Sequence, residues 1–463
     1  MKKANTATAR ARPIAVGALC LVQFVDVLGV AIVTIALPAI LAGLDAPQAL
    51  TPFLVTAYAM FFGGLLLLGA RLGDRYGHRR VLLVGLVVFG GASLFVALGS
   101  NVLVVAAARC AQGAAAALSV PPALRLLTAV APEGLARNRA LAAWSAAGAA
   151  AGASGLVLGG VLTDLAGWRA VFWINVPLAA LLVALVWRTA PATARETTGS
   201  LDVLGASLLT TAVMSVILGG SLLEETHRRV AGFALVAVGC LLIVVFRLAQ
   251  RRAASPVLPP AALRDRQLLA GAGAALANTA TTSSAITLLA LELQNDGGRS
   301  ATAAGLSLLP FSLCVVVGAA LAPRMLRRTS QHAVAAGGLA AIAAGNAALL
   351  LLPTMPWLLP LAVGASGAGI GLSSVAATAL GTDVPDSLQG TAAGVLNTAA
   401  QLGTALGIAA VLLLASSTSG SSLPLSGAAL GYAAAAFAAA ASGAWLLRRR
   451  TAIESQPVAA TVT

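Results

Sequence analysis

Apolar residues run through this chain in long unbroken stretches, and polar residues gather in the short intervals between them. A bilayer core about 30 Å thick takes roughly 20 apolar helical residues to cross, and several of the stretches approach or exceed that length. They are continuous rather than alternating, which points to helices and away from a β-barrel. The pattern predicts fourteen spans, over residues 14–42, 51–71, 81–98, 102–128, 139–163, 170–189, 201–219, 230–246, 268–291, 303–323, 333–352, 357–380, 391–415 and 427–447. An even number puts both termini on one side of the membrane.

Charge tests that count. With the N-terminus in the cytoplasm, 24 of the 29 Lys and Arg fall on the cytoplasmic face. Arg169, Arg228, Arg229 and Arg299 fall on the other face, and Arg109 lies within a span. Loops on the cytoplasmic side carry an excess of Lys and Arg, so both termini are expected there, in a multi-pass protein of the cytoplasmic membrane. The apolar run from Ile14 outlasts the roughly 7–15 residues of a signal-peptide core and contains Asp26, so it is read as a retained first helix.

Composition agrees. The 463 residues are 59% hydrophobic and 10% charged, against about 25% charged in soluble domains. The net charge of +14 sits in short loops beside anionic lipid rather than on a nucleic-acid-binding face, so the bilayer is the expected partner and nucleic acid is not. Cys20, Cys110, Cys240 and Cys314 each fall in an apolar run and read as small buried hydrophobes. His78, His227 and His332 show no metal-ligand spacing, and no metal or cofactor is expected.

Candidate chemistry begins with charges inside spans. Asp26 lies about thirteen residues, roughly 20 Å, into the first span from its cytoplasmic end. Arg109 lies about seven residues, roughly 10 Å, from the outer end of the fourth. In a core about 30 Å thick the two depths nearly coincide. Each charge alone costs at least ~2.5–3.5 kcal/mol there, and such charges usually mark a transport pathway. A pair that only locks two helices together fits the same residues. A second cluster is the loop of LLLLGARLGDRYGHRRVLLVG, residues 65–85, where Asp74 sits among Arg71, Arg75, His78, Arg79 and Arg80. A basic loop that only sets topology also fits it. In the fifth span Gly148, Gly152, Gly155 and Gly159 recur every three or four residues, a smooth face for close helix packing.

These stretches resemble the major facilitator superfamily. The loop is similar to its G-x-L-a-D-R-x-G-R-K signature, with Leu72, Asp74, Arg75, Gly77 and Arg79 on matching positions, Ala70 at the first Gly and His78 at the Arg after Gly77. In the fourth span, Arg109, Gln112 and Gly113 match R-x-x-Q-G. The first span resembles L-D-x-T-I-V-N-V-A-L-P of the fourteen-helix drug:proton antiporter branch. Ala36, Leu37 and Pro38 are kept, while Gly29 stands at the Asp position, Ala31 at the Thr and Thr34 at the Asn. Asp26 lies three residues earlier, about 4.5 Å lower on the helix. The fifth span resembles G-x-x-x-G-P-x-x-G-G, with Gly155, Gly159 and Gly160 in place, Ala151 at the first Gly and Leu156 at the Pro.

The resemblance implies a fourteen-helix major facilitator: a six-helix bundle over 1–190, two inserted helices over 191–252, and a second six-helix bundle with a short tail over 253–463. It implies a monomeric proton-coupled exporter of small amphipathic organic compounds such as drugs or antibiotics, working by alternating access, with the proton gradient in place of a cofactor. Asp26 and Arg109 are then the proton-coupling pair, protonation of the acid weakening its hold on the guanidinium. Asp74, Arg75, Gly77 and Arg79 form a cytoplasmic gate, with Asp74 docking near Ser387 to Thr391. Gly113 joins the fifth-span glycines and Gly160 in packing or hinging. The candidate substrate-cavity residues are Gln112, Asn278, Glu292, Asn397 and Gln401. The displaced acid leaves open an uncoupled or differently coupled facilitator for a narrow endogenous metabolite. A membrane-embedded transferase is the remote alternative, since it needs a catalytic cluster that the scattered histidines do not supply, and no enzyme is expected.

Overall fold

The computed structural model describes residues 2–46, 51–132, 135–192, 202–222, 228–253, 256, 260–295, 297–384, 388–416 and 427–454. The first part of the chain forms α1 (Lys2–Gly43), α2 (Thr51–Tyr76), α3 (His78–Leu98), α4 (Val102–Val130), α5 (Leu135–Ala166), α6 (Ala170–Trp173) and α7 (Asn175–Thr189). A helix pair follows, α8 (Val203–Leu222) and α9 (Arg229–Arg252). The last part forms α10 (Pro260–Arg264), α11 (Arg266–Asn295), α12 (Ala301–Ser307), α13 (Leu309–Leu326), α14 (Gln331–Leu349), α15 (Leu359–Gly381), α16 (Gln389–Ser416) and α17 (Gly427–Glu454). No strand occurs among the described residues. Helix alone is what a chain this apolar can use inside lipid, because every backbone N–H and C=O must find its partner within the segment.

Among the described residues, twelve helical stretches are long and apolar enough to cross a membrane. Helices α2 and α8, in the places of the second and seventh expected spans, hold shorter apolar stretches, Ala57–Leu66 and Leu204–Val216. Two expected spans are broken. The sixth divides at Ile174, two residues before Val176-Pro177, and the tenth divides at Leu308, two residues before Pro310. Proline has no N–H to give to the preceding turn, so each helix restarts there. The loop expected over residues 72–80 shrinks to one residue. Helix α2 runs through Tyr76, Gly77 turns at φ 92°, and α3 begins at His78. That φ lies where a side chain would be strained, which is why glycine occupies the joint.

Helix α4 packs on α2 and α3, and α1 packs on α5. In the last part α11 packs on α16, and α15 packs on both α13 and α14. The two parts meet where α2 faces α16 and α5 faces α12 and α13. Helices α8 and α9 pair with each other, and α8 lies against α2 and α16. Asp202 holds this pair at one end, capping α8 at the Gly205 N–H (2.7 Å) and accepting from the Gln250 side chain of α9. Outward-facing apolar side chains, such as Val230 and Phe233 on α9, Leu103 on α4 and Phe437 on α17, are 66–84% exposed. In water such a surface would aggregate; in a bilayer it is the surface that lipid requires.

Candidate functional site

The site grows from one close helix contact. Gly113 on α4 faces Tyr58 and Phe61 on α2, and a Cβ there would overlap the Tyr58 carbonyl oxygen. Without that Cβ the helices meet backbone to backbone, and the fully buried Tyr58 is pressed between α1 and α4. Its hydroxyl donates to Asp26 Oδ1 on α1. Its ring lies 4.8 Å from the Arg109 guanidinium on α4.

A shared cavity or a mutual pair is expected for Asp26 and Arg109. Both lie against Tyr58, but they are not in ion-pair contact, because the Tyr58 hydroxyl meets the acid and its ring meets the guanidinium. Arg109 is 3% exposed. Its Nη1 donates to Gln112 Oε1 (3.1 Å), the Gln112 amide donates to Ser93 Oγ (2.7 Å), and Ser93 donates to the Phe89 carbonyl (2.7 Å). Arg109 Nε has no acceptor among the described residues. A desolvated cation–π contact is worth about 2 kcal/mol, so ring and amide together offset much of the cost of holding this charge in the membrane.

Tyr58 also reaches the other way. It lines a cavity of about 200 Å³ between the two parts of the chain. Val27, Ala31 and Thr34 of α1 and Leu156 of α5 form the wall on its side. Thr282, Ser283 and Thr287 of α11, Phe311 of α13 and Thr404 of α16 form the opposite wall. None of Gln112, Asn278, Glu292, Asn397 and Gln401 lines it. Gln112 is tied to Arg109. Asn278 donates to Ser373 and Ser374 on α15 (3.1 and 3.2 Å). Asn346, also buried, donates to the Thr281 carbonyl and accepts from Ser366, so α11, α14 and α15 are stapled behind the cavity wall. Glu292 accepts from the Tyr432 hydroxyl near the end of α11. Gln401 packs against Gly63 of α2, where α2 and α16 touch, and Asn397 is exposed on α16.

The glycine face of α5 does pack closely. Gly148 and Gly152 lie against Gln23 and Val27, and Gly155 and Gly159 against Ala31 and Ile32, all of α1. Gly160 abuts the backbone of Ala301 and Thr302 at the start of α12. At that end the two parts are joined. Asp164 of α5 accepts from the N–H groups of Ala301 (3.2 Å) and Thr302 (2.8 Å), and Gln294 of α11 donates to the Ile35 carbonyl of α1 (3.1 Å).

In the α2–α3 joint Asp74 meets His78 Nε2 at 3.3 Å. Arg79 donates to the Trp187 carbonyl of α7 and lies 5.2 Å from its ring. Arg75 lies 5.9 Å from the Tyr76 ring. Of the expected docking partner of Asp74, Ser387 lies outside the described residues. Among the described residues no group of His, Cys, Asp and Glu could hold a metal ion.

Two helical parts joined at one end around a shared cavity, with charges buried beside it, define a membrane transporter. The sequence matches the model of the Major Facilitator Superfamily over residues 19–408. It is similar to the cephamycin export protein CmcT of Amycolatopsis lactamdurans, at 35% identity over 87% of this chain and 85% of that protein. It is 32% identical to the lincomycin resistance protein of Streptomyces lincolnensis, over 88% and 85% of the two chains. It is 34% identical to the puromycin resistance protein pur8 of Streptomyces alboniger, over 84% and 78%. A crystal structure of the peptide transporter POT in complex with sulfate superposes with a TM-score of 0.71 at 14% identity, over 95% of this chain and 94% of that one, a likeness of fold. The chain belongs to the Major Facilitator Superfamily and is a multi-pass membrane transporter, not an enzyme.

Proposed function

We propose that this transporter exports small amphipathic antibiotics or related compounds from the cytoplasm in exchange for protons, by alternating access, as a monomer in the cell membrane. The observation that carries the proposal is Tyr58, which donates to the buried Asp26 and also forms part of the cavity wall. A proton taken up by Asp26 alters what the Tyr58 hydroxyl is bonded to, so the cavity wall registers the state of the acid. A proton with different affinity for two conformations shifts the balance between them. The export and resistance roles in the relatives' names favour an antibiotic as cargo.

In this reading α2 and α8 cross the membrane with the other twelve stretches, giving bundles over 1–190 and 253–463 with an inserted pair over 191–252. The pairing of α8 with α9 and their place against α2 and α16 support it. The excess of cytoplasmic cations supports cytoplasmic termini. The end joined through Asp164 and Gln294 then faces outward. Asp74 and the joint around Gly77 serve the opposite gate.

The test is efflux of a fluorescent amphipathic compound from cells, with and without a proton gradient, for wild type and Asp26→Asn. Gradient-dependent efflux that is lost in the variant is expected. The uncoupled reading is favoured by Gly29, which leaves the family's acid position empty of charge. Efflux indifferent to both the gradient and the substitution would establish it and sink proton exchange.

A further inference from the structure

We propose that Thr282, Ser283 and Thr287 of α11, with Thr404 opposite on α16, recognise the cargo, and that they select a neutral compound rich in carbonyl, ether or hydroxyl oxygens rather than a cation. This deepens the export reading and rests on it for the identity of the cavity.

The first support is the chemistry of the walls. Among the described residues the lining carries apolar or hydroxyl side chains and no carboxylate. The nearby acid, Asp26, is engaged by the Tyr58 hydroxyl. A cation entering such a cavity would shed water and meet no opposite charge, a large cost. A hydroxyl both donates and accepts, so carbonyl, ether and hydroxyl oxygens all find partners on this wall.

The second support is that one hydroxyl stands ready. Serine and threonine inside helices usually bond back to the carbonyl one turn earlier, and several hydroxyls around Thr282 do so. Thr281 donates to Ala277 (2.8 Å), Ser284 to Ala280 (2.5 Å) and, across the cavity, Thr34 to Val30 (3.3 Å). Thr282 is 1% exposed, and its Oγ1 has no hydrogen-bond partner among the described residues. Ser283 and Thr404 share only a long contact of 3.5 Å. A buried hydroxyl without a partner is unfavourable, and a cargo oxygen relieves it. Size adds a constraint. At about 200 Å³ the cavity is below the roughly 300–1,000 Å³ of sites for drug-sized ligands. A drug-sized cargo therefore fits only as the two walls part, and it then bridges the α11 hydroxyls on one side and Tyr58 on the other.

The experiment measures binding to the full-length purified protein, so it does not depend on transport. The probes are daunomycinone, a neutral oxygen-rich fluorescent aglycone, and ethidium, a flat cation. The proteins are wild type and Thr282→Val/Thr287→Val, which keeps side-chain shape and removes two hydroxyls. Wild type is expected to bind the aglycone more tightly than ethidium. The double variant is expected to bind the aglycone at least about fivefold more weakly, the effect of roughly one net hydrogen bond, with its unfolding temperature unchanged. Equal aglycone affinity in both proteins would overturn the role of the hydroxyls. Preference for ethidium, or binding of neither probe, would overturn the cargo class. Ser283→Ala serves in place of the double variant should that variant unfold early, with the same outcomes. Tight hydroxyl-dependent binding without gradient-driven efflux of the aglycone would instead refute the export reading and leave the recognition surface standing.

Discussion

Gly113→Ala tests the contact on which the site is built. An added Cβ would fall on the Tyr58 carbonyl oxygen, 3.0 Å from the carbonyl carbon and 3.1 Å from Phe61 Cβ. Carbon atoms rest about 3.5–4.0 Å apart, so α2 must retreat from α4 by roughly 0.5–1 Å. The atoms in the way are backbone and Cβ, with no flexible tip to swing aside. Overpacking of this kind costs about 1–3 kcal/mol. The retreat also carries Tyr58 away from Asp26, and a hydrogen bond to a charged group is worth roughly 1.5–3 kcal/mol. The combined loss, about 2.5–6 kcal/mol, is large beside the ~5–15 kcal/mol that holds a typical fold together. Gly91→Ala is the control, since its Cβ would meet nothing within 4 Å. Thermal unfolding in detergent and efflux at matched expression should show Gly113→Ala unfolding early and exporting little, and Gly91→Ala close to wild type. A Gly113→Ala protein as stable and active as wild type would refute the argument, and so would equal damage at Gly91.

Two further substitutions probe the remaining contacts. Tyr58→Phe keeps the ring under Arg109 and removes only the hydroxyl donated to Asp26. Gradient-driven efflux should fall about tenfold or more, the equivalent of a charged hydrogen bond, with unfolding little changed, and undiminished efflux would show that the hydroxyl is idle. Asp164→Ala removes the acceptor for the Ala301 and Thr302 N–H groups. A cysteine at the buried Leu308 should then react severalfold faster with a membrane-impermeant maleimide, and an unchanged rate would mean that other contacts keep this end closed.

Much of this was legible in the chain because membrane burial is a one-dimensional constraint. Span length and loop charge depend on local sequence alone, so helix positions and their family resemblance followed from it. Depth is also one-dimensional, and counting residues from the span ends placed Asp26 and Arg109 at a common level. What lay between them was not legible, since lateral placement depends on which helices touch. Tyr58 is one of three tyrosines, and a phenol inside an apolar run needs a partner for its O–H; that was the available signal. The substrate residues went astray for a related reason. Amides such as Asn278 and Gln112 can reach across to neighbouring helices, and here they bind those helices together. The cavity wall was left to Thr282, Ser283 and Thr287, whose run TATTSSAIT does not reveal which hydroxyls are already bonded to their own helix.

The moved acid follows from the same geometry. Gly29, at the family's acid position, is buried against the Phe89 ring, 3.6 Å from where a Cβ would sit. A carboxylate there would face an aromatic ring. At position 26 the acid meets the hydroxyl that Gly113 has brought into place. Acid and donor are therefore one unit in this chain, and moving the acid alone should not preserve exchange. Asp26→Ala/Gly29→Asp is expected to express as a membrane protein but to show no gradient-driven efflux, because the new carboxylate is buried without its donor, a state that costs several kcal/mol for an unpaired charge. The assay is efflux with and without the gradient, beside Asp26→Ala alone. Recovery to half of wild-type exchange or more would show that the depth of the acid matters and its bond to Tyr58 does not, and the role given to that tyrosine would fall.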